Sequence, residues 1–179
     1  AIASSPIAVF VVSLIEAVSG SMRTLDVFRV IKTGFIGVDE EDVDFIENYA
    51  IKYKVRGNQW FSPFTKGAFE YGDEGLARLN EIREQIAGVF DGFKKLYKSS
   101  KTNKEFIESY VDFLINEAEI GARIDELVEN LISHSMQGKA DETTQTWPML
   151  ISAFEQIIEL MGIERFSGKT FADILTAGL

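Results

Sequence analysis

Between Asp73 and Tyr97 the apolar residues Leu76, Leu79, Ile82, Ile86, Val89, Phe90, Phe93 and Leu96 fall mostly three or four apart. That spacing gathers them on one side of an α-helix and scatters them over both faces of a strand. A helix of about seven turns with one apolar side cannot stand alone in water, and the rest of the chain has to supply what covers it. It does so in kind: shorter runs of the same spacing recur on both sides, with no alternating strand pattern of any length and no repeat of fixed period. The expectation is an all-α, irregular multi-helix domain of seven or eight helices without substantial sheet, one domain over residues 1–179. At 20.1 kDa such a chain buries roughly 70% of its unfolded surface without staples.

Taken in order, Pro6 at a first helical position after Ser4 and Ser5 opens a helix to about Val18, apolar on nearly every side except Ser13 and Glu16. Burial on more than one face follows. The apolar run Ile7 to Val18 also resembles a signal-peptide core, but no basic residue precedes it, and its 12 residues fall short of the ~20 that cross a bilayer. A second helix starts near Thr24, with Leu25, Phe28 and Ile31 inward, Val27 and Val30 widening that face, and Gly34 as a left-handed stop. Asp39 caps a third helix that carries Glu40, Glu41 and Asp42 in its first turn and Val43, Ile46, Ala50 and Tyr53 on its apolar face. Gly57 to Gly72, rich in glycine and aromatics, reads as a long loop anchored by its own side chains. Gly88 and Gly92, four apart on the next helix, mark close helix packing.

Thr102 to Glu105 is a capping-box pattern for a helix to about Ile115. Another runs to Met136 with Ile120, Ile124, Leu127, Val128, Leu131 and Ile132 inward, joined to its predecessor with or without a break, and Gly138 closes it. Lys139 to Gln145 suits a turn, a helix start, or both in succession. Trp147, Leu150, Ile151, Phe154, Ile157, Ile158 and Met161 then describe an amphipathic helix with Pro148 near its start or at a kink. Gly162 stops it, Ser167 can cap, and Phe171 to Ala177 form a last short helix.

Composition narrows the chemistry. Cysteine is absent and His134 is the single histidine, so thiol nucleophiles, disulfides and sites of two or three imidazoles are excluded. The net charge of −10 is lopsided: residues 1–100 hold 12 basic and 14 acidic side chains, residues 101–179 hold 6 and 14. Any phosphate backbone would therefore meet the first half. Gly162 to Thr170, GIERFSGKT, ends like a P-loop but has five residues between its glycines where the motif has four, and a helix runs into it where a strand is required. The acid pairs Asp125 with Glu129 and Glu155 with Glu159 read as solvated helix faces, and His134 as a helix-end cap or a surface residue. No catalytic, cofactor or metal residue is predicted. The one candidate site is a nucleic-acid contact, in which Lys52, Lys54, Arg56 and Lys66 meet phosphates and Trp60 stacks a base. Its alternative has the rings plugging the loop onto the helices while the cations stay solvated.

A helix ending in Lys32-Thr33-Gly34-Phe35, the acidic start at Asp39 to Asp42, Glu47-Asn48-Tyr49 and the closing Gly57 and Trp60 together resemble the AddB/RexB subunits of bacterial ATP-dependent helicase-nucleases. The preceding SSPIAVFVVSLIEAVSG, the later QTWPMLISAFEQIIELMG and the terminal ERFSGKTFADILTAGL are similar to that family in the same order, residues 62–141 match only in helical character, and Pro148 departs from the pattern. The resemblance implies a helical insertion of the second RecA-like motor domain, a fragment excised from a larger subunit, as Ala1 in place of Met also suggests. The family's ATP and magnesium site, its iron–sulfur cluster and its catalytic residues are implied to lie elsewhere in the parent protein. For this chain it implies a cytoplasmic, non-catalytic arm for double-strand-break repair that orients duplex DNA or the partner helicase-nuclease subunit. A free-standing helical adaptor that binds proteins through an acidic face is the alternative.

Overall fold

The structure, a computed structural model, describes residues 2–179. Among them eight α-helices run in the order α1 (Pro6–Ser19), α2 (Thr24–Ile31), α3 (Glu40–Tyr53), α4 (Ala68–Ser99), α5 (Asn103–Asp112), α6 (Ile120–Ser133), α7 (Gln137–Met161) and α8 (Gly168–Gly178). No strand forms among the described residues, and one isolated antiparallel bridge pairs Thr102 with Arg165. The all-α expectation holds.

The molecule is built around α1, which packs on α2, α7 and α8 and touches α4. The Ser5 hydroxyl accepts the Ala8 N–H at 3.4 Å, and Pro6 needs no donor at the first helical position. Ile7, Phe10, Val11, Leu14 and Ile15 are fully buried, each worth about 1.5–3 kcal/mol of transfer free energy. Ser13, expected to break the apolar surface, is buried too, its hydroxyl donating to the Phe10 carbonyl at 3.3 Å. Bonding back to its own helix removes most of the desolvation penalty. From α5 the Tyr110 phenol donates to the Val11 carbonyl at 2.6 Å. Burial pushes the Tyr110 ionisation well above the ordinary tyrosine range.

Two corrections fall on the next helices. Leu25, expected inward on α2, is 75% exposed, and the core stripe is Val27, Phe28, Val30 and Ile31. On α3 the buried aromatic is Tyr49, while Tyr53 is only half-buried. Gly34 does take a left-handed conformation, φ +85°. The Gly57–Gly72 loop contains a 3-10 turn, Gly57–Phe61. It is held from α4 as well as by its own rings: Asn80 accepts the Phe64 N–H at 2.7 Å and donates to the Phe64 carbonyl at 3.0 Å. Buried Arg83 donates to the Trp60 carbonyl at 3.3 Å. The α4 helix begins earlier than Asp73, with one turn from Ala68 that breaks at Gly72 (φ +69°, ψ 176°) before the long run.

The capping box forms as read, with Thr102 Oγ1 accepting the Glu105 N–H at 3.2 Å and Glu105 Oε2 accepting the Thr102 N–H at 3.4 Å. The chain does break after α5, through a π turn (Phe113–Glu117) and a left-handed Glu119, φ +51°. Gly92 lets Phe113 close on α4, since a Cβ there would lie 3.1 Å from its ring; Gly88 faces open space. Of the expected inner residues of α6 only Ile120 is fully covered, and Ile132 is 49% exposed. Gly138 does not close α6; it lies in the first turn of α7, and the reversal is made by Ser135 at φ +58°. Pro148 sits exposed inside α7. Phe106, Phe166 and Phe171 lock the end of the chain to α5, with Phe106 and Phe166 stacked at 4.0 Å.

Candidate docking groove

A surface groove of about 810 Å³ lies between the start of α1, α2 and the end of α3. Pro6, Val9, Phe28 and Val55 contribute apolar surface, and Leu25 and Ile51, 75% and 60% exposed, stand along it. Five cations line it, Arg23, Arg29, Lys32, Lys54 and Arg56, against one acid, Glu47. Arg23 is paired with Asp26 at 2.9 Å and Lys32 with Glu47 at 2.6 Å. Arg29, Lys54 and Arg56 are exposed and have no ion-pair partner among the described residues.

Local folding explains this arrangement. Lys54 ends α3 in the left-handed conformation, φ +51°, which turns the chain sharply and sets Lys54 and Arg56 on either side of the buried Val55. The Thr24 hydroxyl donates to the Val55 carbonyl at 2.6 Å and ties the two walls together. Behind them the Trp60 indole N–H donates to the Met22 carbonyl at 2.9 Å. The Gly57 N–H reaches back to the Ser21 carbonyl at 3.1 Å. The walls are thus fixed before any ligand arrives.

Of the sequence-predicted contact residues, the structure brings only Lys54 and Arg56 into this groove. Lys52 is ion-paired with Glu70, which holds the lysine's pKa above its ordinary value. Lys66 is exposed beside a separate small pocket, and its backbone carbonyl accepts the Tyr49 phenol at 2.9 Å. Trp60 must be withdrawn as a stacking surface: it is 0% exposed, edge-on to Phe28 at 5.9 Å and to Phe64 at 6.2 Å. Burying so large a ring stabilises the fold more than a solvent-facing ring would. Phe61 is covered in part by Lys94, whose ammonium lies 4.6 Å from the ring centre and whose pKa is lowered by burial.

Sequence reading missed Arg29, Leu25 and Ile51 as site residues, because they come from two helices and meet only when α2 packs on α3. The available signal was that Ile51 lies off the Val43, Ile46, Ala50 stripe. Elsewhere, Lys169 is exposed at the start of α8. His134 caps α6, its Nδ1 lying 2.8 Å from the Asn130 carbonyl. No group of three or more acids or imidazoles converges on a common point among the described residues.

These features define the class: an all-α module whose most developed surface is a preformed, cation-rimmed apolar groove. No family model matches the chain. Individual relatives do. It is 28% identical over 187 residues to the B subunit of an ATP-dependent helicase/deoxyribonuclease of Caldanaerobacter subterraneus, covering 99% of this chain and 16% of that protein. The corresponding B subunits of Clostridium botulinum and Clostridium perfringens are 31% and 30% identical over 185 and 192 residues, covering 98% and 99% of this chain. Over nearly its whole length the chain is similar to ATP-dependent helicase/deoxyribonuclease B subunits, the family its Lys-Thr-Gly and Glu-Asn-Tyr segments resemble, and it spans about 16% of the length of the curated relatives it matches, as one domain of such a subunit would.

Proposed function

We propose that this chain is a non-catalytic helical domain, the insertion of the second motor domain, in a bacterial helicase/deoxyribonuclease subunit acting in double-strand-break repair in the cytoplasm. It works by holding a neighbouring protein surface, in the parent subunit or its partner subunit, in register with the motor. The observation that carries this reading is the pattern of coverage: relatives named for helicase and deoxyribonuclease activity match 98–99% of this chain while the chain spans only 16% of them. Catalytic groups belong elsewhere in such a protein. With no cysteine in the sequence the chain has no thiolates to hold an iron–sulfur cluster, and its only Gly-Lys-Thr has neither the spacing nor the preceding strand of an ATP loop. Among the described residues no helix is long and apolar enough to cross a membrane.

A second reading, contact with duplex DNA through Lys52, Lys54, Arg56 and Lys66, is supported by the exposure of those four side chains. Electrophoretic titration of a forked duplex at two salt concentrations separates the two. Protein contact predicts little retardation even at low salt. Strong, salt-sensitive retardation that disappears when Lys52, Lys54 and Arg56 are replaced would assign the DNA role instead.

A further inference from the structure

We infer that the groove between α1, α2 and α3 docks an acidic amphipathic helix of a separate partner protein. This names the chemistry of the neighbour in the protein-contact reading above and rests on that reading; its test reads binding at the groove and not activity of the parent, so the two fail separately.

The floor favours a protein ligand over a stacked base. Its exposed residues, Leu25 and Ile51, are aliphatic, and Phe28, the single ring in the lining, is only 2% exposed. The floor therefore offers a base no aromatic ring to stack on and leaves only guanidinium groups of the rim, Arg29 and Arg56 among them, whereas Leu, Ile or Phe side chains three, four and seven apart on a helix need an aliphatic trough of this kind. The rim decides the charge of the ligand. Arg29, Lys54 and Arg56 hold no acid of their own, on a chain whose net charge is −10. Carboxylates flanking the apolar stripe of a ligand helix would meet these cations, and a basic helix would be repelled by them. Arg23 and Lys32, already paired with Asp26 and Glu47, continue the rim without adding unpaired charge. The Thr24 and Trp60 hydrogen bonds fix the walls, so little ordering is lost on binding.

The test is selection of a displayed library of helical peptides on the 179-residue chain at low salt, followed by fluorescence anisotropy of a labelled winner. Recovered sequences are expected to carry Leu, Ile or Phe at helical spacing flanked by Asp and Glu. Affinity should fall at least about tenfold, typical of losing close charge pairs, in the triple variant Arg29→Glu, Lys54→Glu, Arg56→Glu. It should fall likewise in the double variant Leu25→Asp, Ile51→Asp, whose substituted side chains are already exposed, with circular dichroism confirming that both variants fold. Recovered sequences without acidic bias, or winners indifferent to both variants, would overturn the assignment. So would tighter binding of a short oligothymidylate through the same three cations, or self-association of the chain that those variants abolish.

Discussion

Asn80 and Arg83 show how much of this fold hangs on single polar side chains. Asn80 satisfies both backbone groups of Phe64, and Arg83 reaches the Trp60 carbonyl and lies 3.0 Å from the Asn80 amide oxygen. Removing Asn80 strands the Phe64 N–H in a partly buried site, so Asn80→Ala should lower unfolding free energy by about 1–3 kcal/mol in urea titration. Trp60→Ala removes a fully buried ring and its bond to Met22, and about 3–5 kcal/mol should be lost in the same assay. Ser135 works the other way. Its φ of +58° is a conformation natural to glycine, so Ser135→Gly should raise the melting temperature by roughly 2–4 °C, the shift that about 1 kcal/mol makes in a chain of this size. Of these roles only that of Trp60 was legible in the sequence, as the alternative in which the loop's rings plug onto the helices. Asn80 and Arg83 read as ordinary polar positions on a helix, and a residue at positive φ betrays itself only when it is a glycine.

At the scale of elements, periodicity and caps carried most of the information. The Thr102–Glu105 box, Pro6 after Ser5 and the left-handed Gly34 stand as read. What failed did so where two faces of a helix are apolar or where a glycine looked like a stop. On α2 five apolar residues leave the choice of buried stripe to tertiary packing, which covers Val27 and Val30 and exposes Leu25. Gly138 lost to Ser135 because the three-residue connection between α6 and α7 needed its left-handed residue earlier. That short connection makes α6 and the start of α7 antiparallel neighbours, with α6 burying only Ile120 completely. Hydrogen exchange should therefore be much faster in residues 121–146 than in α1, since few buried contacts oppose local opening. Equal protection across both would show that the hairpin is held more firmly than its burial allows.

For the molecule as a whole, charge and burial set how it responds to conditions. Burial raises the pKa of Tyr49, Tyr71, Tyr97 and Tyr110. Above the unfolded tyrosine value of about 10, the folded state therefore holds more protons than the unfolded one. Stability from these residues is complete below that pH and is lost as pH rises through their folded values. Lys94, whose pKa is lowered by burial, opposes the trend with a single group. The melting temperature should drop between about pH 9 and pH 11, and a flat profile would contradict the assigned burial.

In the function proposed above, these residues act through shape and surface while bond chemistry belongs to the rest of a helicase/deoxyribonuclease subunit. The most direct test is turnover by the purified 179-residue chain, supplied with ATP, magnesium and linear duplex DNA. No ATP hydrolysis and no DNA cleavage above the protein-free control are expected. Hydrolysis of either that copurifies with the folded chain and rises in proportion to its concentration would contradict the proposed function.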